Sequence, residues 1–212
     1  MSPIELEQVL ERLGKPYAPV AAEDRVVDRY EGVVPDLLLD VWRTVGFSGF
    51  ADGLLWLCNP EEWQPAVDEW ISGVTLPFHD DWIPFTRTAF GGMSLWGKRT
   101  GQSLTIEPRN GFIVPIDQPE MMSSELNIDV QILVGLDPDT EMLDEDGDDG
   151  KPMLRRLHKR LGGLDSSTMY GCVPIPALGG SFTPRGMQVV NAVDHVRFLS
   201  TVMQRQVMNW KF

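Results

Sequence analysis

Apolar residues recur every three or four positions through most of the first seventy residues, which is the spacing of amphipathic helices. This pattern predicts a helix over residues 3–13 and a second helix that begins at Pro35 and stops at Gly46. A third predicted helix begins at Asn59, where the asparagine is the N-cap and Pro60 stands in the first turn. The first part of the chain is therefore predicted to be mostly helical.

After residue 80 the pattern changes to short runs of aromatic and β-branched residues separated by glycine. These runs predict strands at 82–90, 93–97, 103–108 and 111–116. Gly91-Gly92 and the stretch 99–101 are typical of hairpin turns. We therefore predict an α+β fold, in which an antiparallel β meander packs with helices against one face.

Helical spacing returns in the second half of the chain. It predicts helices from Pro119 to Leu133, over the basic stretch 151–161 and over residues 193–208, with a loop or short strand at 169–174. The change in pattern predicts an α+β domain at 1–117 and a second, mainly helical module at 118–212.

Bulk composition indicates a globular protein. A length of 212 residues with 42% apolar residues and seven tryptophans is enough for a substantial core. The first residues form an acidic amphipathic pattern, which is not typical of a signal peptide. No apolar run approaches the roughly 20 residues that span a bilayer. These features predict a cytoplasmic location.

Acidic residues are distributed unevenly along the chain. Residues 1–150 hold 29 acids and 9 bases, whereas residues 151–212 hold 2 acids and 9 bases. Between Arg109 and Lys151 there are 12 acids and neither lysine nor arginine. A field of this sign repels DNA, RNA and anionic lipids, and it accelerates encounter with a cationic protein surface. The charge pattern predicts a basic protein partner and argues against nucleic-acid or membrane binding.

The acids of this segment are the candidate partner-binding residues, and Asp80 with Asp81 forms a second candidate patch. The acids that we expect at the interface are Asp137, Asp139, Glu141, Asp144, Glu145, Asp146, Asp148 and Asp149. The alternative interpretation is a solvated loop between modules, since charge runs usually form exposed linkers.

Motifs of catalysis and cofactor binding are scarce. His79, beside Asp80 and Asp81, could bind a metal ion or transfer a proton, but it stands in an expected turn. The acidic run does not fit a calcium loop, because Met142 and Met153 occupy positions that must supply oxygen ligands. The sequence has no G-x-G-x-x-G, P-loop or nucleophile-elbow motif. We therefore predict no catalytic residue, no cofactor and no metal site.

Strings of tryptophan, glycine, proline and tyrosine resemble those of a known pair of modules. The segments Phe47–Trp70, Phe85–Gly91 and Leu95–Gly97 resemble the GAD-like domain of bacterial immunity proteins. The second half resembles the C-terminal module that commonly accompanies it, in Glu145–Gly147, Lys151–Met153, Leu161–Gly162, Met169–Gly171, Val173–Pro174 and Ala177–Gly180. The resemblance extends from about residue 20 to about residue 205.

This resemblance implies an immunity protein of the type VI secretion system whose partner is a DNase toxin. A DNase presents lysine and arginine to phosphates, so a protein that offers carboxylates to the same groove can exclude DNA. The expected complex is one to one, and it occludes the DNA-binding groove or the active site of the toxin. Two other hypotheses stay open: an acidic interaction module for a non-nuclease toxin or another client, and a metal-dependent enzyme that uses His79, Asp80 and Asp81.

Overall fold

The computed structural model describes residues 4–208. Its helices are α1 (Leu6–Leu13), α2 (Asp24–Asp28), α3 (Asp36–Val45), α4 (Pro60–Ile71), α5 (Glu125–Gly135), α6 (Thr140–Leu143), α7 (Leu154–Leu161) and α8 (Ala192–Val202). Its strands are β1 (Gly49–Phe50), β2 (Leu55–Leu57), β3 (Trp82–Thr88), β4 (Met93–Gly97), β5 (Gly101–Glu107), β6 (Phe112–Pro115), β7 (Thr168–Cys172), β8 (Met187–Asn191) and β9 (Gln206–Val207). Short 3-10 turns lie at Ala51–Gly53, Pro119–Met122 and Pro176–Leu178.

Most of the strands form one seven-stranded sheet in the order β1-β2-β3-β4-β5-β6-β9. The first six strands follow chain order and pair antiparallel, which confirms the predicted meander and the α+β class. The last strand, β9, pairs parallel with β6, so that Phe112 faces Gln206 and Ile113 faces Val207. A separate antiparallel hairpin is formed by β7 and β8.

Helices cover both faces of the main sheet. In β4, Leu95 and the adjacent Trp96 point to opposite faces and enter different core clusters. Trp96 packs in a cluster with α1, α3 and α5, whereas Leu95 packs in a cluster with α4 and α8. The expectation of helices against one face is therefore wrong. The central strands carry apolar residues at consecutive positions, as strands buried on both sides do.

The two halves of the chain contribute to the same core. In α4, Trp70 is fully buried and its indole Nε1 donates a 2.9 Å hydrogen bond to the carbonyl oxygen of Val196 in α8. Met169 of β7 lies in the same cluster as Met93 of β4. The predicted boundary between residues 117 and 118 follows β6. Residues on both sides of this boundary pack in the core cluster that contains α4 and α8.

The buried side chain of Arg87 in β3 also connects the halves. Its guanidinium carbon lies 4.9 Å from the ring centroid of Trp56 and 5.3 Å from that of Trp63. Its Nη2 donates to the carbonyl oxygens of Ser166 (3.0 Å) and Thr168 (3.1 Å) in the second half. Burial lowers the pKa of Arg87 to about 10, so the group stays protonated at neutral pH. Aromatic rings and backbone carbonyls thus replace water around this charge.

The early helices are confirmed by α1, α3 and α4. The Asn59 side chain accepts a 3.1 Å hydrogen bond from the backbone N–H of Glu61, as expected of an N-cap. The predicted mainly helical character of the second module is only partly right, because β7 and β8 form a hairpin within it. None of the helices within residues 4–208 is long and apolar enough to cross a bilayer.

The predicted closing helix over residues 193–208 is too long, since α8 ends at Val202. Beyond it, the backbone N–H groups of Gln206 and Met208 each donate a 2.8 Å hydrogen bond to the edge of the sheet at Gly111 and Ile113. The open edge of β6 supplies partners that a helix would not use, and this tertiary pairing outweighs the local helical pattern.

Candidate functional site

The acidic segment between Arg109 and Lys151 runs from β6 through α5 and α6 to the start of α7. The eight acids of this segment that were predicted for the interface fall into two groups. Carboxylates of the first group bind other parts of the protein, and those of the second group face solvent. A partner can reach the second group without displacing an arginine from it, because none of its members has an ion pair among residues 4–208.

Asp144 belongs to the first group because it caps α7. Its Oδ1 accepts hydrogen bonds from the backbone N–H groups of Glu145 (2.8 Å), Leu154 (3.0 Å) and Met153 (3.2 Å). A helix begins with N–H groups that lack intrahelical partners, and a carboxylate there also interacts favourably with the helix dipole. Asp144 therefore joins the acidic segment to the basic helix that follows it.

Glu145 belongs to a half-buried cluster between the two modules. It forms an ion pair with Arg109, whose guanidinium carbon lies 3.9 Å from the ring centroid of Phe182. Burial raises the pKa of Glu145, and Arg109 offsets only part of this rise. Burial also raises the pKa of the neighbouring Glu107 to about 7, and the Glu145 charge adds to that rise. Glu145 therefore binds Arg109 in a half-buried position and is not freely available to a partner.

Two further acids of the segment are paired on the surface. Asp137 forms an ion pair with Arg12 of α1. Asp149 binds Arg156 of α7 in a two-pronged arrangement, at 2.9 Å and 2.8 Å. The hydrogen bonds from Arg156 lower the pKa of Asp149. Both pairs are exposed enough for salt to screen them, so a partner's cations could compete for these carboxylates.

The second group consists of Asp139, Glu141, Asp146 and Asp148, which are all exposed. Asp139 caps α6 by accepting a 2.9 Å hydrogen bond from the backbone N–H of Glu141. None of the four forms a salt bridge with any residue in the described range 4–208. Their charges are therefore directed to solvent and remain available to a cationic surface.

The second predicted patch is divided in the same way. The Asp80 side chain is 2% exposed and accepts hydrogen bonds from the backbone N–H groups of Arg99 (2.8 Å) and Thr100 (2.9 Å). Burial alone would raise the pKa of Asp80, but hydrogen bonds from the backbone of Arg99 and Asp81 and from the Thr100 hydroxyl outweigh it and lower the pKa. Asp80 thus fixes the turn between β4 and β5, whereas Asp81 is exposed.

Asp81 lies beside a surface cleft of about 310 Å³. Asp68 of α4 is exposed at the same cleft, and Tyr30 and Gln64 also line it. Two carboxylates and an aromatic ring suit a cationic side chain, because both attract positive charge. The cleft is therefore a second place where a basic partner can make contact.

The residues of the enzyme hypothesis do not form a reaction centre. His79 is exposed and its backbone carbonyl accepts a hydrogen bond from Arg99. The adjacent Asp80 is directed into the β4–β5 turn. Within residues 4–208, no three His, Cys, Asp or Glu side chains are grouped so that they could hold a metal ion.

The structure also identifies apolar residues that the sequence analysis did not propose for the site. Leu126 and Val134 on α5 and Met142 on α6 are exposed, although all three lie in the acidic segment. The available signal was that apolar residues occur all round α5, which leaves some of them outside any single buried stripe.

Two family models match separate ranges of the chain. Residues 5–110 match the GAD-like domain, and residues 139–203 match the C-terminal domain of the type VI secretion system (T6SS) immunity protein Tdi1. Among solved structures, the crystal structure of Atu4351 from Agrobacterium tumefaciens is similar, with a TM-score of 0.82 at 23% identity over 96% of this chain and 91% of that chain. At this identity the likeness shows a shared fold. No curated protein matches at a significant level.

Proposed function

The chain belongs to the GAD-like domain family, and on this basis we propose that it neutralises a cognate DNase toxin of the type VI secretion system. The family matches of both modules support an immunity role, and the match over residues 139–203 implies a cognate toxin as partner. In this proposal the protein binds the toxin one to one in the cytoplasm, where the toxin would meet DNA. The complex covers the DNA-binding groove or the active site of the toxin.

The acidic segment carries this proposal. A nuclease that grips the phosphates of DNA has a basic groove, and carboxylates are suited to the same surface. Asp139, Glu141, Asp146 and Asp148 are exposed and have no cationic partner among residues 4–208. Asp81 adds a charge beside the cleft on α4. The protein can therefore offer several carboxylates without breaking any of its own ion pairs.

Inhibition by occlusion requires a stable interface and no catalytic residue. Complexes of this kind bury at least about 1,200 Å² in total, with apolar groups in the centre and charges at the rim. The immunity-family match favours a binding protein over an enzyme. The exposed acids then act mainly by accelerating the encounter and by setting the orientation.

One observation favours a second candidate. Six of the ten acids predicted for the interface already have partners within the chain: Asp80, Asp137, Asp139, Asp144, Glu145 and Asp149. This reduces the charge that remains for a nuclease groove. The alternative is an acidic interaction module for a non-nuclease toxin or another client, with binding that depends more on shape than on charge.

The partner can be recovered from the native bacterium with a copy of the protein that is tagged at its N-terminus. Mass spectrometry identifies the captured protein, which is then purified and incubated with plasmid DNA. We expect a basic nuclease whose DNA cleavage stops when an equimolar amount of this protein is added. Capture of a toxin that does not cleave DNA would replace the proposal with the second candidate. A nuclease that stays active in the complex would contradict the occlusion mechanism.

A further inference from the structure

Helix α5 carries apolar side chains on its buried and on its exposed side. Ile132 is fully buried and Leu136, just after the helix, is 1% exposed, and both pack in the core cluster of α1 and α3. On the other side, Leu126 is 50% exposed and Val134 is 60% exposed. A soluble helix usually keeps its apolar residues in one buried stripe, so apolar residues on a second side favour a further contact there. The outer side of α5 has the composition of a contact surface.

Met142 of α6 is a third exposed apolar residue of the same segment. It is 81% exposed, the highest value among the large apolar residues of the described chain. Within residues 4–208, three of the four most exposed large apolar residues are Leu126, Val134 and Met142, and the fourth is Leu178 at 64%. Scattered single apolar residues are ordinary on protein surfaces, but these three lie within 17 consecutive positions, and exposed apolar residues that group together mark interaction sites.

The charges around these side chains indicate the chemistry of what covers them. Asp139 lies three positions before Met142, Glu141 is its neighbour, and both acids are exposed. The surrounding segment from residue 110 to residue 150 contains no lysine or arginine, and Arg12, which reaches this segment from α1, is paired with Asp137. A second copy of this surface would be repelled by the same charges, whereas a basic surface would be attracted.

The size of the surface fits a single partner. Val134 and Met142 are eight residues apart, so the chain permits at most about 28 Å between their Cα atoms. A standard interface of about 800 Å² on each partner is about 30 Å across. One docking event can therefore cover both side chains together with the acids between and beside them.

We propose that Leu126, Val134 and Met142 are the apolar anchors that dock onto the basic surface of the cognate nuclease toxin. Asp139 and Glu141 form the charged rim around them. This inference rests on the proposed function, and it adds the location and the composition of the interface. Apolar anchors surrounded by a polar rim provide most of the energy in protein interfaces, and methionine adapts its shape to the pocket that it enters.

This arrangement separates two kinetic roles. Long-range attraction between acids and a basic groove accelerates association, and salt weakens it. Apolar contacts form only after docking, so they slow dissociation. Loss of the anchors is therefore expected to change the dissociation rate, and loss of free acids is expected to change the association rate.

The test uses the nuclease captured by the wild-type protein, purified and immobilised for binding kinetics. The double variant Val134→Ser, Met142→Ser is compared with Leu178→Ser, which removes an equally exposed apolar group outside the acidic segment. We expect the double variant to dissociate at least about tenfold faster with an unchanged association rate. The Leu178→Ser control is expected to dissociate at the wild-type rate. Equal dissociation rates of the double variant and the wild type would overturn the inference.

A second measurement keeps the inference testable if the double variant has a lower melting temperature. A photo-reactive amino acid placed at position 142 should crosslink to the nuclease, and one placed at position 178 should not. Crosslinking from 178 alone would place the interface elsewhere and overturn the inference. If the wild type inhibits the nuclease but replacement of the anchors leaves the dissociation rate unchanged, only the inference fails. If the wild type captures no nuclease, the proposed function fails first.

Discussion

The indole Nε1 of Trp70 donates a 2.9 Å hydrogen bond to the carbonyl oxygen of Val196, which lies 126 residues further along the chain. Both residues are fully buried in the core cluster between α4 and α8. The two family matches lie on either side of residues 111–138, but the packing joins them. A shared core of this kind favours cooperative unfolding of both modules.

We expect Trp70→Phe to lower the free energy of unfolding by about 2 kcal/mol, because the Val196 carbonyl loses its donor and a small void remains. Urea unfolding followed by fluorescence and by circular dichroism measures this change. Both probes should give one coincident transition in the wild type and in the variant. Two separated transitions would contradict the shared core. Trp82→Phe is the matched control, since its indole donates to Ser103 within the first module.

Arg87→Met should destabilise the protein by about 3 to 5 kcal/mol. The methionine fills the space between Trp56 and Trp63, but the carbonyls of Ser166 and Thr168 then lack donors in a buried site. Thermal and urea unfolding measure the loss. The control is Arg43→Met, which removes an exposed arginine that pairs with surface acids and should cost far less. Similar losses for the two variants would contradict a structural role for Arg87.

The raised pKa of Glu107 predicts a fall in stability as pH rises. The unfolded chain loses this proton near pH 4.5, whereas the folded protein holds it to about pH 7. Between these values the folded state binds more protons, so the free energy of unfolding decreases with pH and levels off above 7. Glu107→Gln should remove up to about 3 kcal/mol of this decrease.

The measurement is the difference between the unfolding curves of wild type and Glu107→Gln from pH 4 to pH 8. The difference cancels the contributions of other titrating groups to the pH dependence, except those of Glu145 and Arg109, whose charges act on Glu107. Glu141→Gln, which neutralises an exposed acid in the same way, serves as the control for the substitution itself. A constant difference across the range would refute the predicted pKa of Glu107.

Paired and free acids should respond differently to neutralisation. The triple variant Glu141→Gln, Asp146→Asn, Asp148→Asn removes three exposed charges without ion-pair partners among the described residues. We expect slower association with the captured nuclease, by about tenfold at low salt, and a weaker salt dependence. Its melting temperature should stay at the wild-type value.

The control for charge alone is Asp24→Asn, Asp36→Asn, Asp52→Asn, which removes three exposed acids outside the acidic segment. If both triple variants associate equally slowly, net charge rather than the acidic segment directs the encounter. If neither variant changes the association rate, electrostatic attraction by this segment is excluded.

Asp144→Ala should lower stability by about 1 kcal/mol, because the first N–H groups of α7 lose their acceptor. Chemical denaturation measures this loss, and association with the nuclease should change less than in the triple variant of free acids. Asp144→Asn retains an acceptor and should recover most of the stability. A variant with normal stability and slow association would instead assign Asp144 to the interface.

The sequence was sufficient for features that depend on neighbours along the chain. The Asn59 cap, the helices α1, α3 and α4 and the meander β3–β6 follow from local spacing and turn residues. Features that depend on distant contacts were not predictable. Spacing alone cannot indicate that Arg87 lies between two tryptophans, or that residues 206–207 pair with β6.

The candidate site was likewise predictable only in those features that do not depend on distant contacts. Composition identified the acidic segment, because the count of acids between Arg109 and Lys151 needs no structure. Which acids remain free depends on where arginines from other segments lie. Arg12 reaches Asp137 across 125 positions, and Arg109 reaches Glu145 across 36. The exposure of Leu126 likewise depends on which side of α5 packs against the core.

The parallel pairing of β9 with β6 affects how the protein folds during synthesis. When β6 leaves the ribosome, its outer edge has no partner until residues 206–207 have been made. At 5 to 20 residues per second, the roughly 90 intervening residues take about 5 to 18 s. An unpaired edge strand readily binds other strands, so the nascent chain is most exposed to misassembly during this interval. Addition of β9 covers this edge of β6 with a strand of only two residues.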